Sequence, residues 1–105
     1  MTMFHYGVLL KRSGLLSHED FLKTWLGPHR ELAQGLPGLV TARFLPGTEV
    51  SGFPLFYDGL GLLSFGSAQE ALDAFASGTG KELRSHTATF ARSDEAIRQF
   101  FTDPP

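Results

Sequence analysis

The chain has 105 residues, of which 42% are hydrophobic and 19% are charged, and its formal net charge is −2. This length suits one packed domain, so we expect residues 1–105 to form a single domain. The sequence contains no cysteine, which excludes disulfides, thiol chemistry and cysteine-ligated metal. The charges form no basic stripe, so nucleic acid is not an expected partner, and no apolar run approaches the ~18 residues of a membrane span. We therefore expect a cytoplasmic protein with no N-terminal signal peptide.

Phenylalanine is unusually frequent, with ten copies in the chain. Each aromatic side chain buries a large area, whereas a small monomer has a limited interior. The surplus indicates either a Phe-rich core or an additional apolar surface, such as a subunit interface or a ligand pocket. Composition alone leaves both interpretations open.

The N-terminal third predicts one strand and one interrupted helix. Met3–Lys11 is rich in aromatic and branched residues without a helical stripe, which favours a strand. Ser17–Gln34 predicts a helix that opens with a capping box between Ser17 and Asp20. Pro28 lacks an amide proton and crowds the preceding turn, so together with Gly27 it predicts a kink or a short break.

One face of this helix carries apolar residues at spacings of three and four. These residues are Phe21, Trp25, His29, Leu32 and Leu36. His29 therefore lies on the buried stripe, four residues after the only tryptophan. An imidazole in this position is either a core residue bonded to a backbone carbonyl or the chemical centre of a pocket.

The middle of the chain predicts a strand, a long loop and an ambiguous apolar segment. Leu39–Leu45 predicts the second strand, and Pro46–Pro54 predicts a loop of a length that often carries function. Leu55–Phe65 is either one strand or a hairpin, because Asp58-Gly59 is a strong two-residue turn signal.

The C-terminal third predicts two helices and a segment of uncertain type. Ser67 and Glu70 form a second capping box, whose helix ends at Ser77-Gly78, and Gly80–Ala91 predicts a further short helix. Ser93–Thr102 fits helical spacing better than strand alternation, and the last three residues are expected to fray. The residues expected to face inward from the first of these helices are Ala71, Leu72 and Phe75.

The order of elements predicts the fold class. Strand, helix, strand, strand, helix and a last strand form the ferredoxin-like split βαβ plan, an α+β fold with a four-stranded antiparallel sheet and helices on one face. The other sheet face would be a large exposed apolar patch unless something covers it. A second copy of the chain is the simplest cover, so we expect a homodimer.

An ordered set of motifs resembles the EthD family of dimeric α+β barrel proteins over about residues 6–90. The set comprises Val8–Arg12, Phe21 with Trp25, His29 and Leu32, Leu36-Pro37-Gly38, Tyr57-Asp58-Gly59 and the helix Ser67–Phe75. The resemblance implies a dimer with two sheets packed face to face, and a pocket between each sheet and its helices. It also implies an activity such as that of a decarboxylase, dehydratase, cyclase or isomerase on an aromatic or polyketide-like small molecule, although a shared fold does not fix function. The chain departs from the family at Leu62 and Ser64, where such proteins often carry an acidic residue and an aromatic one.

His29 and Asp58 are the candidate catalytic residues. A neutral imidazole can take and return a proton near working pH, and burial beside Trp25 favours the neutral form. Asp58 either orients His29 or touches the ligand, although aspartate before glycine is also ordinary turn chemistry. The candidate substrate-binding residues are Trp25, Tyr6, Tyr57, Phe21 and His86. We expect His18 to be exposed, and Lys11 and Arg12 to be solvated.

Three functional hypotheses follow. The first is a cofactor-independent lyase, isomerase or cyclase that moves a proton on an apolar or aromatic small molecule. The second is a non-catalytic small-ligand-binding or stress-related module of the same fold. The third is a haem-binding barrel, because related α+β barrels bind haem through one histidine. No metal site is predicted, since the histidines lack the spacing of metal ligands.

Overall fold

Residues 2–105, as described by a computed structural model, form a four-stranded antiparallel sheet covered on one face by helices. The strands are β1 (Phe4–Leu10), β2 (Leu39–Pro46), β3 (Gly59–Phe65) and β4 (Ile97–Thr102). Their order across the sheet is β2-β3-β1-β4, so β1 pairs with both β3 and β4. The predicted ferredoxin-like α+β fold is confirmed.

Helices connect the strands on the covered face. The helical segments are α1 (His18–Thr24), a π-helical turn (Trp25–His29), α2 (Arg30–Gln34), α3 (Ala68–Ala76) and α4 (Gly78–Phe90). A 3-10 turn at Ser93–Glu95 precedes β4. None of the helices within residues 2–105 has the length and apolar character needed to cross a bilayer.

The predicted interruption of the first helix lies at the expected dipeptide. Ser17 opens α1 as its N-cap, where its hydroxyl accepts a hydrogen bond from the Asp20 amide at 3.1 Å. Gly27 then adopts a non-helical conformation, with φ of −99° and ψ of −107°, immediately before Pro28. The chain resumes helical geometry in α2. The local chemistry of proline therefore breaks the helix without ending the amphipathic face.

The ambiguous segment before β3 is a loop followed by one strand. β3 begins at Gly59, and Asp58-Gly59 does not form a hairpin. The Asp58 amide instead donates to the Leu10 carbonyl at 2.8 Å, which ties the loop to the end of β1. The one-strand alternative is correct from Gly59 onward, and the preceding Leu55–Asp58 stays irregular.

Two details of the following helices differ from the prediction. α4 begins at Gly78 rather than Gly80, because the Ser77 hydroxyl accepts a hydrogen bond from the Gly80 amide at 3.1 Å and caps the helix. Leu72, predicted to face inward, is 53% exposed. The fully buried residues of α3 are Ala71 and Ala74. These small side chains let α3 approach the sheet closely.

Of the two alternatives left open for the C-terminal segment, the strand is correct and the helix is not. Ile97–Thr102 is strand β4, antiparallel to β1 of the same chain, and the Phe100 ring lies 5.6 Å from the Tyr6 ring. Asp103 does not fray, since it accepts hydrogen bonds from the His5 ring at 2.7 Å and from the Met3 amide at 3.2 Å. As a strand, the segment provides hydrogen-bond partners for the backbone groups on the free edge of β1, which a helix would leave unpaired. This pairing outweighs the helical spacing of its apolar residues.

Trp25 lies directly over the sheet because glycines make room for it. A Cβ atom at Gly59 would stand 2.5 Å from atoms of the Trp25 ring, and one at Gly61 would stand 3.8 Å from it. Trp25 itself is 1% exposed and packs edge-on against Phe44, with ring centroids 5.2 Å apart. The close approach of helix and sheet at this point therefore requires glycine at position 59.

We predict that Gly59→Ala lowers the free energy of unfolding by about 1–3 kcal/mol, because the added methyl group overpacks the Trp25 contact. Gly78→Ala is the matched control, since a Cβ there meets no atom within 4 Å. Urea denaturation followed by tryptophan fluorescence measures both. Equal stability of the two variants would contradict the packing role of Gly59.

Candidate functional site

A cavity of about 200 Å³ lies between the sheet and the helices. Its apolar lining includes Val8, Trp25, Phe44, Leu63, Phe75 and Leu83. These side chains come from β1, β2 and β3 on one side and from the helical segments on the other. This is the position in which the sequence resemblance places a pocket.

His29 reaches this cavity from the π-helical turn. It is four residues from Trp25, and both side chains are buried and line the cavity. The Phe90 ring meets the His29 ring edge-on at 5.0 Å. The predicted buried face of the helix is thus confirmed, and only 5% of His29 remains accessible.

His29 and His86 form a hydrogen-bonded pair. Their Nδ1 atoms are 2.9 Å apart, and their rings stack with centroids 5.2 Å apart and 17° between planes. One Nδ1 donates and the other accepts, so the two rings cannot both be protonated there. This pair replaces the expected backbone carbonyl partner. His86 is half-buried and faces a surface groove beside α2 and α4, so it supports His29 from behind the cavity.

His29 is neutral at pH 7. Burial, followed by the proximity of the His86 imidazole, lowers the pKa of His29 from its ordinary value to about 4. Its Nε2 atom has no hydrogen-bond partner among residues 2–105, yet no buried side-chain nitrogen or oxygen there lacks one. Nε2 therefore borders accessible space, and it is the ring atom that a ligand in the cavity can meet. Nε2 is a base when Nδ1 of His29 is the donor to His86, and a donor in the other tautomer.

Polar groups line the cavity at Tyr6, Arg84 and Arg98. Burial raises the pKa of the Tyr6 hydroxyl above its ordinary value, and the Arg98 and Arg84 guanidinium groups oppose this shift. Sequence reasoning found Tyr6 but missed both arginines. Arg98 belongs to β4, where it lies on the helix-covered face together with Phe100, two residues further along the strand. That signal is visible only once the segment is read as a strand.

The structure does not bring Asp58 to His29. Asp58 is 4% exposed and accepts hydrogen bonds from the Arg12 amide at 2.8 Å, the Arg12 guanidinium at 2.7 Å and the His18 ring at 2.7 Å. His18, expected to be exposed, is half-buried, and Arg12 is paired rather than simply solvated. Asp58 thus ties the β2–β3 loop to the end of β1 and the start of α1.

The remaining candidates lie outside the cavity lining. Phe21 is fully buried, 5.6 Å from the Trp25 ring and 5.4 Å from the Phe90 ring, so it forms the core behind Trp25. Tyr57 is half-buried, with the Lys11 ammonium 5.3 Å from its ring centroid. The structure therefore brings together His29, Trp25 and Tyr6 of the predicted set.

The departure at Leu62 and Ser64 has less consequence for His29 than the sequence suggested. Side chains alternate along β3, and Leu63 between these two residues lines the cavity. Leu62 and Ser64 therefore point to the opposite sheet face, where Ser64 hydrogen-bonds to His5 at 2.7 Å. An acidic residue at either position would not reach the histidine.

The residues present do not fit haem. Pockets for drug-sized ligands measure roughly 300–1,000 Å³. The cavity, at about 200 Å³, is smaller than these, and a tetrapyrrole is bulkier than such ligands. No group of three or more His, Asp or Glu side chains among residues 2–105 is arranged to hold a metal ion.

The sequence matches no protein-family model and no curated protein sequence. Solved structures nevertheless share the fold along nearly the whole chain. An EthD family protein from Bacillus halodurans superposes with a TM-score of 0.79 at 13% identity, covering 98% of each chain. The chain therefore shares the fold of this EthD family protein. The predicted resemblance is confirmed at this level.

Two further structures are similar. A dimeric ferredoxin-like protein of unknown function from Jannaschia has a TM-score of 0.70 at 22% identity, covering 94% of this chain and 97% of that one. The cofactor-independent oxygenase SnoaB from Streptomyces nogalater has a TM-score of 0.70 at 11% identity, covering 98% and 94%. At these identities the likeness establishes the fold, and the function has to be argued from the site.

We predict that Asp58→Asn lowers the free energy of unfolding at pH 7 by about 1–3 kcal/mol, because it removes a charge that three donors satisfy. Burial raises the pKa of Asp58, but the hydrogen bonds from Arg12 and His18 outweigh it and leave the pKa below its ordinary value. The stabilisation is therefore complete above the unfolded-state pKa of about 3.9 and is lost as the pH falls through the lower folded-state value.

Urea denaturation at several pH values measures this effect. The difference between wild type and Asp58→Asn should shrink below about pH 4, while Asp94→Asn, a change at an exposed aspartate, serves as the control. A pH-independent difference would show that the Asp58 charge is not what stabilises the loop.

Proposed function

We propose that the protein is a cofactor-independent enzyme in which His29 moves a proton on a small apolar or aromatic molecule, as in a lyase, isomerase or cyclase. The observation that carries this proposal is a neutral buried imidazole that lines a mainly apolar cavity. The fold shared with an EthD family protein and with a cofactor-independent oxygenase supports it.

The environment of His29 defines the chemistry that it can perform. In the tautomer whose Nδ1 donates to His86, Nε2 accepts a proton from the substrate. A pKa of about 4 means that the resulting imidazolium is costly unless a negative charge forms beside it. A substrate whose deprotonation yields an enolate or phenolate supplies that charge. The Tyr6 hydroxyl, which also lines the cavity, can donate to the developing oxyanion.

The apolar walls select and orient the substrate. Trp25 and Phe44 present aromatic surfaces at 73° to each other, so a flat molecule can stack on one ring and meet the edge of the other. Return of the proton to another atom completes an isomerisation, whereas expulsion of a β-leaving group from the enolate completes an elimination. Both routes use the same proton-transfer group.

A non-catalytic ligand-binding module is the second candidate. The observation that favours it is the absence of any Asp or Glu from the described cavity lining, so no carboxylate assists His29. Such a module would bind the same class of molecule without changing it. The two candidates therefore differ in turnover and agree in binding.

We predict that the protein accelerates deuterium incorporation from D₂O into an enolisable bicyclic aryl ketone such as tetralone. The rate should rise as the pH rises through about 4 and then level off, because only neutral His29 accepts a proton. His29→Gln should reduce the protein-dependent rate by about 10²–10⁴-fold, the usual contribution of a general base. Mass spectrometry of the recovered ketone measures the exchange.

His5→Gln is the matched control, because His5 lies on the opposite sheet face and should leave the rate unchanged. Melting temperatures of the variants separate chemistry from folding. Loss of folding in His29→Gln would identify a structural histidine. A ketone that raises the melting temperature but gains no deuterium would support the binding module instead of the enzyme.

We also propose that the protein is a homodimer joined through the open sheet face. This face presents apolar side chains that alternate with the cavity-lining ones, and it includes Leu9, Leu45, Leu62, Ile97 and Phe101. Phe101 remains 49% exposed and Ile97 48% exposed in the single chain. Exposed apolar patches of this kind are typical of protein–protein interfaces. A similar ferredoxin-like structure is described as dimeric.

We predict that Phe101→Glu converts the dimer to a monomer, because it places a charge on the apolar sheet face through which we propose that the dimer forms. Leu15→Glu is the control, since Leu15 is 96% exposed and lies outside the sheet. Sedimentation velocity at micromolar concentration measures both. A monomeric wild type would contradict the proposed assembly.

A further inference from the structure

Two arginines from different elements line the solvent-exposed side, or mouth, of the cavity. Arg84 lies on α4 and Arg98 lies on β4, and both are exposed residues that line the cavity. Burial raises the pKa of the Tyr6 hydroxyl, and both guanidinium groups oppose this shift. Arg98 pairs with Val8, so Arg98 and Tyr6 lie on the same face of neighbouring strands. Two guanidinium groups and the Tyr6 hydroxyl therefore line a mainly apolar cavity, whose other polar side chains are His29 and Thr87.

Neither arginine is neutralised by a carboxylate within residues 2–105. Arg98 makes one long hydrogen bond of 3.4 Å to the Ser93 carbonyl, and no ion pair involves Arg84 or Arg98. Elsewhere in the chain arginines do pair, since Arg12 binds Asp58 at 2.7 Å and Arg92 binds Glu95 at 2.9 Å. The mouth of the cavity thus has two positive charges and no resident anion.

We propose that the cavity binds a small aromatic acid whose carboxylate, or an equivalent acidic oxygen, lies between Arg84, Arg98 and Tyr6. This inference rests on the proposed function for the location of the ligand, and it adds the chemical class that the site selects. Arginine presents several N–H donors in a planar arrangement that matches a carboxylate, and such charge-assisted hydrogen bonds are stronger than neutral ones.

The size and polarity of the cavity agree with this ligand. About 200 Å³ of space restricts the apolar part to a one- or two-ring molecule, below the roughly 300–1,000 Å³ of pockets for drug-sized ligands. Its rings would pack against Trp25 and Phe44, while the acidic group stays at the exposed rim. An anion held at the rim also lets the arginines remain partly hydrated, which limits the desolvation cost of binding.

A pair of probes that differ only in charge tests the inference. Naphthoate and naphthamide have the same rings, and isothermal titration calorimetry measures the affinity of the wild type for each. We expect naphthoate to bind at least about tenfold more tightly, as expected for hydrogen bonds to a charged group. Arg84→Gln and Arg98→Gln should each reduce this preference, and the double variant should abolish it while keeping the affinity for naphthamide.

Arg30→Gln is the matched control, because it removes the same charge from an exposed arginine outside the cavity lining. It should preserve the preference for the acid, and melting temperatures verify that all variants are folded. Equal affinity for both probes in the wild type, or a preference that survives the double variant, would overturn the anion site while leaving the cavity as a ligand site. Failure of both probes to bind would overturn the anion site together with the ligand-binding role of the cavity. Loss of deuterium exchange in His29→Gln tests the proposed chemistry independently of either result.

Discussion

The contact between the Trp25 ring and the glycines of β3 positions everything that makes the cavity a candidate site. Three Trp25 ring atoms occupy the space that a side chain at position 59 would fill. The indole is thereby held against β3 and edge-on to Phe44. Trp25 thus anchors the helical region to the sheet just before the break that precedes His29. The cavity is the space left between these two rings and the strands.

The break at Gly27-Pro28 determines which neighbour His29 meets. A regular helix would keep a straight axis through this region. The non-helical Gly27 instead lets the chain change direction just before the histidine. Nδ1 of His29 then reaches Nδ1 of His86 on α4, 57 residues further along the chain. This hydrogen bond orients the ring and leaves Nε2 as the ring nitrogen without a partner among residues 2–105. The break at Gly27-Pro28 therefore allows His29 to bond to His86 on α4, and this bond sets the orientation of the His29 ring.

Features that depend on neighbouring residues could be predicted from the sequence. The spacing of Phe21, Trp25 and His29 gave the buried face of the helix, and Ser17 and Ser67 gave both caps, because the physical causes lie within a few residues. β4 could not be recognised in this way, since its strand geometry comes from pairing with β1 at the other end of the chain. The same limit explains why Arg98 was missed. It also explains why the sequence could not identify the partners of Asp58, because its three hydrogen bonds come from residues at least 40 positions away.

The charges of the cavity lead to one constraint on its chemistry. In sites where a carboxylate contacts the histidine, the protein itself stabilises the imidazolium that forms during proton transfer. Here the described lining combines a neutral imidazole with two guanidinium groups and a hydroxyl, so negative charge has to come from the ligand. A ligand that is already an anion pairs with the arginines. His29 can act on such a ligand only if the ligand also carries a weakly acidic proton that the imidazole can remove. Proton transfer then depends on the second negative charge forming beside Nε2, where the imidazolium and the arginines share its stabilisation. The same positive rim that would make the cavity a good binder of aromatic acids would thus also lower the cost of making the enolate on which the proposed reaction depends.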